Sequence, residues 1–490
     1  MLAKENSLQA RRSTLLFACL ATLLGIIAGV YVIYMNNPVY ILVGLAFLIG
    51  FVAAVGSIKF GLLLLVFITY TRFSDIAVHN YGAPSIAKSF IVLLLIAIII
   101  RWALFNERPR GLLIPTIVVA AYGLVGFASL LYAPEKEAVL SSLSDNVKDA
   151  LIALIVVVLL KKPYQFRQVI WTLLIIGIFI GSLSVHQYLT RNFSSNYGGF
   201  AVAEYMNIVK GTDDYRLSGP VGDPNFFAQV MVVLTILGVE RLLHEKKLIL
   251  KIFAGLSAIV SLLTVAYTFS RGATVALALS FVILFGIYRL KPMQVVVMLM
   301  LGIAFLLYTP QSYFERTLTL QDLIPSSNGQ IDVTQDSAIQ GRASENLTAW
   351  IMWMEHPLTG IGLNNFPFLY PEYTKSLGLA QSMGRRSPHN LYLEVAAETG
   401  IIGLTVFLLM VGLALRSILY ARRKFREAGM EDYANMVTGF AIAFGGYLLA
   451  AVFVHASYPR YFYLLIGIAY SLPFIFEQVH INEEKVAMQN

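Results

Sequence analysis

The stretch LILKIFAGLSAIVSLLTVAYTFSRGATVALALSFVILFGIYR, residues 248–289, decides the fold. Two apolar runs, 248–269 and 272–289, meet in it with almost no loop between them. A run of about 20 apolar residues spans a hydrocarbon core as a helix. Backbone groups in lipid must be satisfied within the segment, so both runs are expected to be helical. Arg271 then sits at the membrane edge, where one span turns into the next. Snorkelling is the bland account of such a cation. Ionisable groups at the edge of a helix bundle are otherwise functional by default.

Runs of this kind recur from end to end of the 490 residues. The chain is 58% hydrophobic and only 13% charged, against roughly 25% charged in soluble domains. Fourteen spans are expected, near 13–34, 39–57, 58–71, 86–105, 112–132, 143–160, 167–189, 224–240, 248–269, 272–289, 293–309, 390–415, 434–455 and 459–478. The third is short, so 39–71 reads as partly re-entrant. The expected class is all-α, a polytopic helical membrane protein of about 12–14 transmembrane helices. Residues 1–309 form N-terminal helices, 310–389 one large loop with short helices, and 390–490 C-terminal helices. The first run is too long for a signal peptide and lacks a clear cleavage site, which favours a retained helix. Cys19 is the single cysteine, so neither an intrachain disulfide nor a cysteine metal cluster is available.

Assigning alternate loops to opposite sides makes the charge distribution informative. One side collects 22 of the 36 Lys and Arg residues, the opposite short loops nine and the large loop five. By the positive-inside rule both termini are cytoplasmic, and 72–85, 190–223 and 310–389 face outward. The net charge of +8 is therefore a topology signal, and no nucleic-acid partner is expected. No repeat of 20–50 residues is evident. Inverted repeats with broken helices are the usual pointer to a transporter, which remains the competing class.

The outward loops carry the chemistry. Pro310 to about Gln340 reads as mostly irregular, followed by a short amphipathic helix containing Arg342, Trp350 and Trp353 that ends before Pro357. Gly360-Ile361-Gly362-Leu363-Asn364-Asn365-Phe366 is turn-rich, and its G-x-G follows no strand, so it is a poor dinucleotide signal. Asp223-Pro224-Asn225 reads as a helix start with Asp223 as N-cap. Arg216, Arg271, Arg342, Arg385 and Arg386 form a candidate set for one polyanion, because guanidinium binds phosphate oxygens bidentately and stays charged. His389 adds a proton acceptor near neutral pH, although an isolated interfacial histidine is also read as structural. Glu394 and Glu398 are rival bases; their bland reading is a water-facing first turn of the following helix. Asp223 is a further auxiliary acid or base. His79, His186, His356 and His455 lack an equally dense polar neighbourhood, and His244 and His480 fall on the cytoplasmic side. No Asp-x-Asp motif occurs in the outward loops, so no metal site is expected.

Ser270-Arg271-Gly272, Gly341-Arg342 followed by Trp350, Gly360 to Phe366, and Pro388-His389-Asn390-Leu391-Tyr392 leading into Glu398-Thr399-Gly400 resemble the O-antigen ligase and polymerase family of bacterial envelope glycan enzymes. Arg216 and Asp223-Pro224-Asn225 are similar to a further family segment. The resemblance implies a GT-C-like bundle in the bacterial inner membrane and a periplasmic site. It also implies inverting transfer of a glycan from undecaprenyl pyrophosphate without metal or cofactor. It gives His389 the acceptor hydroxyl, Arg216 and Arg271 the pyrophosphate, and Arg342 a less defined motif role. Family acceptors are lipid A-core, another glycan repeat unit, or protein hydroxyls. Ligase-type transfer to lipid A-core is the favoured expectation, with polymerase or protein glycosylation as alternatives.

Overall fold

The computed structural model describes residues 57–109, 111–205, 215–318, 337–379, 384–455 and 459–487. The span near 13–34, all but the last residue of 39–57, Cys19, Lys210 and Asp213-Asp214 lie outside them. Two helices, α1 (Ile58–Thr71) and α2 (Phe73–Tyr81), form a pair bent by 55° about Arg72, whose φ of 54° is left-handed. Then come α3 (Ile86–Phe105), α4 (Leu113–Ala128), α5 (Lys136–Leu159) and α6 (Pro163–Leu189). A hairpin of β1 (Val202–Tyr205) and β2 (Tyr215–Gly219) precedes α7 (Pro224–His244), α8 (Leu248–Tyr267), α9 (Arg271–Ile287) and α10 (Pro292–Tyr308). The large loop holds α11 (Gln311–Leu318), α12 (Ser337–Glu355) and α13 (Phe366–Ser376). The chain closes with α14 (Leu391–Glu427), α15 (Glu431–Ala450) and α16 (Pro459–Ala487).

Among the described residues eight helices are long and apolar enough to cross a membrane, or nine with the bent pair. Helices α9 and α10 are apolar but shorter, 17 residues each. The protein is thus an all-α polytopic membrane protein. Four expectations are corrected. The segment 72–85 is largely helix α2 instead of open loop. The span 143–160 belongs to α5, whose first half is polar, and only the part from Ala150 onward is continuous apolar core. The start of the supposedly irregular 310–340 is helix α11. The loop 190–223 contains the antiparallel hairpin, pairing Glu204 with Arg216 and Ala203 with Leu217.

Helix α7 is the centre of the bundle, with every residue from Pro224 to Arg241 buried. A helix apolar on all sides needs neighbours on all sides, and α6, α8 and α15 supply them. Close approach is built from small residues. A Cβ on Gly238 would come 2.9 Å from the backbone nitrogen of Ala258, and one on Gly177 would come 2.7 Å from the Ser257 hydroxyl. Small residues at helix crossings are the usual solution where lipid removes any hydrophobic drive between helices. At the periphery Leu299, Met300, Ile303, Leu306 and Leu307 of α10 are each more than half exposed, an apolar surface of the kind lipid covers.

Loops expected on the same side meet at the same end. At one end Arg241 and Glu240 are fully buried and paired at 2.7 Å, Arg241 reaches Asp432 at 2.9 Å, and Arg167 pairs with Asp432 and Glu245. At the other, Arg460 joins Asp75 at 2.6 Å, Arg72 donates to the Val221 carbonyl at 2.9 Å, and the Tyr132 hydroxyl donates to Thr359 O at 2.6 Å. The second end carries α12, α13 and the hairpin.

Candidate active site

His389 owes its position to the residues after it. The Asn390 side chain accepts hydrogen bonds from the amides of Tyr392 and Leu393, both at 3.1 Å, and so caps α14. Such a cap satisfies amides that the first helical turn leaves orphaned. Tyr392 donates its hydroxyl to Leu448 O at 2.9 Å, fastening this turn to α15. The imidazole then reaches across to α12, where its Nδ1 lies 2.6 Å from Oε2 of Glu345. The second oxygen of Glu345 accepts from Arg386 Nη1 at 3.1 Å. With Nδ1 donating to a carboxylate, the neutral ring presents its lone pair at Nε2, the form a general base needs.

Glu345 is fully buried and went unnoticed in the sequence. It stands with Ser344, Thr348, Ala349 and Met352 on the buried side of α12. An acid on that face is a readable signal, since a buried carboxylate is tolerated only with partners. His455 is the second residue missed, and its expected isolation is corrected. The segment after α15 brings its ring to 5.7 Å from that of His389 and 4.9 Å from Phe226, and its Nδ1 is buried with no hydrogen-bond partner among the described residues. Burial, reinforced by His389, pushes the His455 pKa down to about 4, so at neutral pH it is an uncharged ring.

Arg216 and Arg271 come from separate elements to one turn. Arg216 on β2 is 4% exposed; it donates from Nε to Thr268 O at 2.7 Å and from Nη2 to Asn225 Oδ1 at 2.9 Å. Thr268 is three residues before Arg271, which opens α9 and is 7% exposed. Between them Phe269 has φ 52°, a costly conformation for a bulky residue. A Cβ on Gly272 would come 2.4 Å from Cβ of Phe453, so the arginine turn abuts the segment leading to His455. Cations meeting at a helix N-terminus form a natural anion site.

The other expected residues divide. Arg385 stacks on Phe368 at 4.0 Å, while Arg386 attends Glu345, so the two neighbours are not aimed at one ligand. Arg342 is half-buried on α12, one turn before Glu345. Asp223 is an N-cap, its Oδ1 accepting from Asn225 N at 2.7 Å and Phe226 N at 3.0 Å. Glu394 and Glu398 are buried, which removes the water-facing reading of that turn. Glu398 gives one oxygen to Asn364 N at 2.7 Å and the other to Phe366 N at 3.2 Å. It therefore holds the turn 360–366 in place.

That turn closes a break in α14, where a single span 390–415 was expected. Gly400 has φ 64° and ψ −169°, which interrupts the helix. The freed groups are taken up by the loop: Ile361 N donates to Ala397 O and Gly362 N to Glu398 O, both at 2.9 Å, and Ile401 N donates to Pro357 O at 2.8 Å. Gly360 has φ 69°, and a Cβ there would meet the Glu398 carbonyl carbon at 2.4 Å. The glycine pair thus serves a backbone seam. Irregular backbone at membrane depth is viable where protein re-satisfies it.

Beside His455 lies a cavity of about 290 Å³, lined by residues of α4, α5, α7, α14, α15 and α16 and by His455, Asn364 and Ser387. Glu394 and Glu398 line it too.

Residues 256–408 match the family model described as O-Antigen ligase. A comparison with curated proteins gives no match. The matched region runs from α8 through the arginine turn, the large loop and the seam to the second half of α14, so it contains Arg271, Glu345 and His389.

Proposed function

We propose, from the match of residues 256–408 to the O-antigen ligase family model, that the protein is a ligase-type inverting glycosyltransferase. It moves an oligo- or polysaccharide from undecaprenyl pyrophosphate to a hydroxyl of lipid A-core. The charge bias of the loops supports a site at the periplasmic face of the bacterial inner membrane with cytoplasmic termini. His389 Nε2 takes the proton of the acceptor hydroxyl as its oxygen attacks the anomeric carbon. The bond from that carbon to pyrophosphate breaks, and the leaving group keeps the electron pair beside Arg216 and Arg271. The observation that carries this reading is the 2.6 Å bond from His389 to fully buried Glu345, at the same end of the bundle as the arginine turn. A base, its orienting carboxylate and an anion site are what acyl- and glycosyl-transfer chemistry without a covalent intermediate requires.

The test uses the purified full chain with an undecaprenyl-pyrophosphate glycan and lipid A-core in the presence of EDTA. Transfer is expected to proceed and to be lost in His389→Ala. Full activity in that variant would remove His389 from the mechanism, and extension of the donor glycan alone would make the enzyme a polymerase.

A further inference from the structure

We propose that the cavity lined by His455, whose ring lies 5.7 Å from that of His389, is a recognition pocket for a sugar ring bearing no anionic group, a neutral or amino sugar. This rests on the glycosyl-transfer reading above. At about 290 Å³ it matches the smaller ligand pockets, roughly 300 Å³ and upward, and one pyranose ring is the natural occupant. Its lining combines side-chain amides with aromatic rings: Asn146, Asn364 and Gln229, whose Nε2 donates to Tyr447 O at 2.9 Å, beside Tyr122, Phe226 and Tyr447. Amides serve ring hydroxyls and aromatic faces serve ring C–H groups.

The sign of the charge narrows the class. Asp145, Glu394 and Glu398 line the cavity, and among the described residues no lysine or arginine does. Asp145 pairs with Lys148 at the exposed mouth, and Glu398 spends its oxygens on backbone amides. Glu394, 7% exposed, is the third carboxylate of the lining. The second, independent observation is His455. It lines the cavity with Nδ1 buried and without a partner among the described residues, and such a nitrogen is costly unless something bonds it. A sugar hydroxyl would bond it. The site therefore sorts charge, with phosphate on the arginine side of the α7 N-terminus and a ring without an anionic group on the carboxylate side. The ring is either the donor's pyrophosphate-linked residue or the acceptor's terminal one.

Saturation-transfer NMR on the full chain in nanodiscs, with methyl glucoside, methyl glucosaminide and methyl glucuronide as probes, tests this. The first two should bind and the glucuronide should bind on the order of tenfold more weakly at pH 7, as like charge in a partly dry site requires. Glu394→Gln should shrink that gap to about twofold, and Asp145→Asn, at an exposed position, should shrink it partly without risk to folding. Equal binding of the three sugars, or a gap unchanged in both variants, would overturn the pocket. Displacement of methyl glucoside by the lipid-linked donor identifies the ring as the donor's; displacement by the acceptor glycan identifies it as the acceptor's. Equal transfer rates for neutral and uronic sugars on the partner that displacement identifies, donor or acceptor, would sink the pocket and leave the transferase standing. Sugar discrimination without transfer from any lipid-linked donor would do the reverse.

Discussion

Glu345 has two partners, and they make it useful as well as tolerable. If it orients His389, Glu345→Gln keeps the shape and loses the charge that fixes the tautomer. The expected result is a fall in kcat of roughly 10²–10⁴, by the measure of orienting carboxylates elsewhere, with donor KM within about twofold of the parent. A purely structural role would instead lower thermal stability and leave the kcat of the folded fraction intact, so melting and steady-state kinetics together decide. His455 gives a pH signature. Its folded pKa of about 4 lies below the ordinary value of about 6.5, so the unfolded chain takes up the proton first as pH falls. Stability is full above about 6.5 and is lost as pH falls from there toward 4. Melting temperatures from pH 7 to 4.5 should fall less in His455→Asn than in the parent; parallel curves would deny the burial. His389 was legible because it sits in a dense polar motif. Glu345 was not, because its partner lies 44 residues away and one sequence shows no pairing. His455 was not, because nothing local announces that α15 ends beside α14.

At the scale of elements, the seam at Gly400 makes the sharpest demand. A Cβ there would lie 2.2 Å from Leu358 O at a φ of 64°, so both contact and backbone forbid a side chain. Gly400→Ala should destabilise by more than the ~1–3 kcal/mol of a strained residue alone. Gly412→Ala, with open space around the same helix, should be neutral, and thermal unfolding in detergent distinguishes them. Hydropathy made the spans legible, because a 20-residue apolar run has few other fates. It could not reveal the break, since Thr399-Gly400-Ile401-Ile402 reads as continuous apolar helix and the partners that complete it lie in a distant loop. The hairpin escaped for a similar reason: strands of four and five residues are too short to impose a period. The polar half of α5 was masked by the apolar half that follows it.

Across the whole molecule the two ends are built differently. The end away from the site is locked by the buried Glu240–Arg241 pair, with Asp432 and Arg167 linking α6, α7 and α15. Removing one member of a buried pair leaves a stranded charge and typically costs about 3–5 kcal/mol. Glu240→Gln should therefore lower the melting temperature strongly while each surviving folded molecule transfers glycan at the parental rate. A matching loss of turnover would mean that this end communicates with the site. At the opposite end, the seam couples elements that hydropathy alone would keep apart. The amides of Ile361, Gly362 and Ile401 lie in a loop or at a helix break, yet each is bonded across the seam. In hydrogen–deuterium exchange they should behave as one slow unit and open together. Glu345 and His389 ride on either side of that closure, so the proposed base stays with its carboxylate for as long as those three protons are kept.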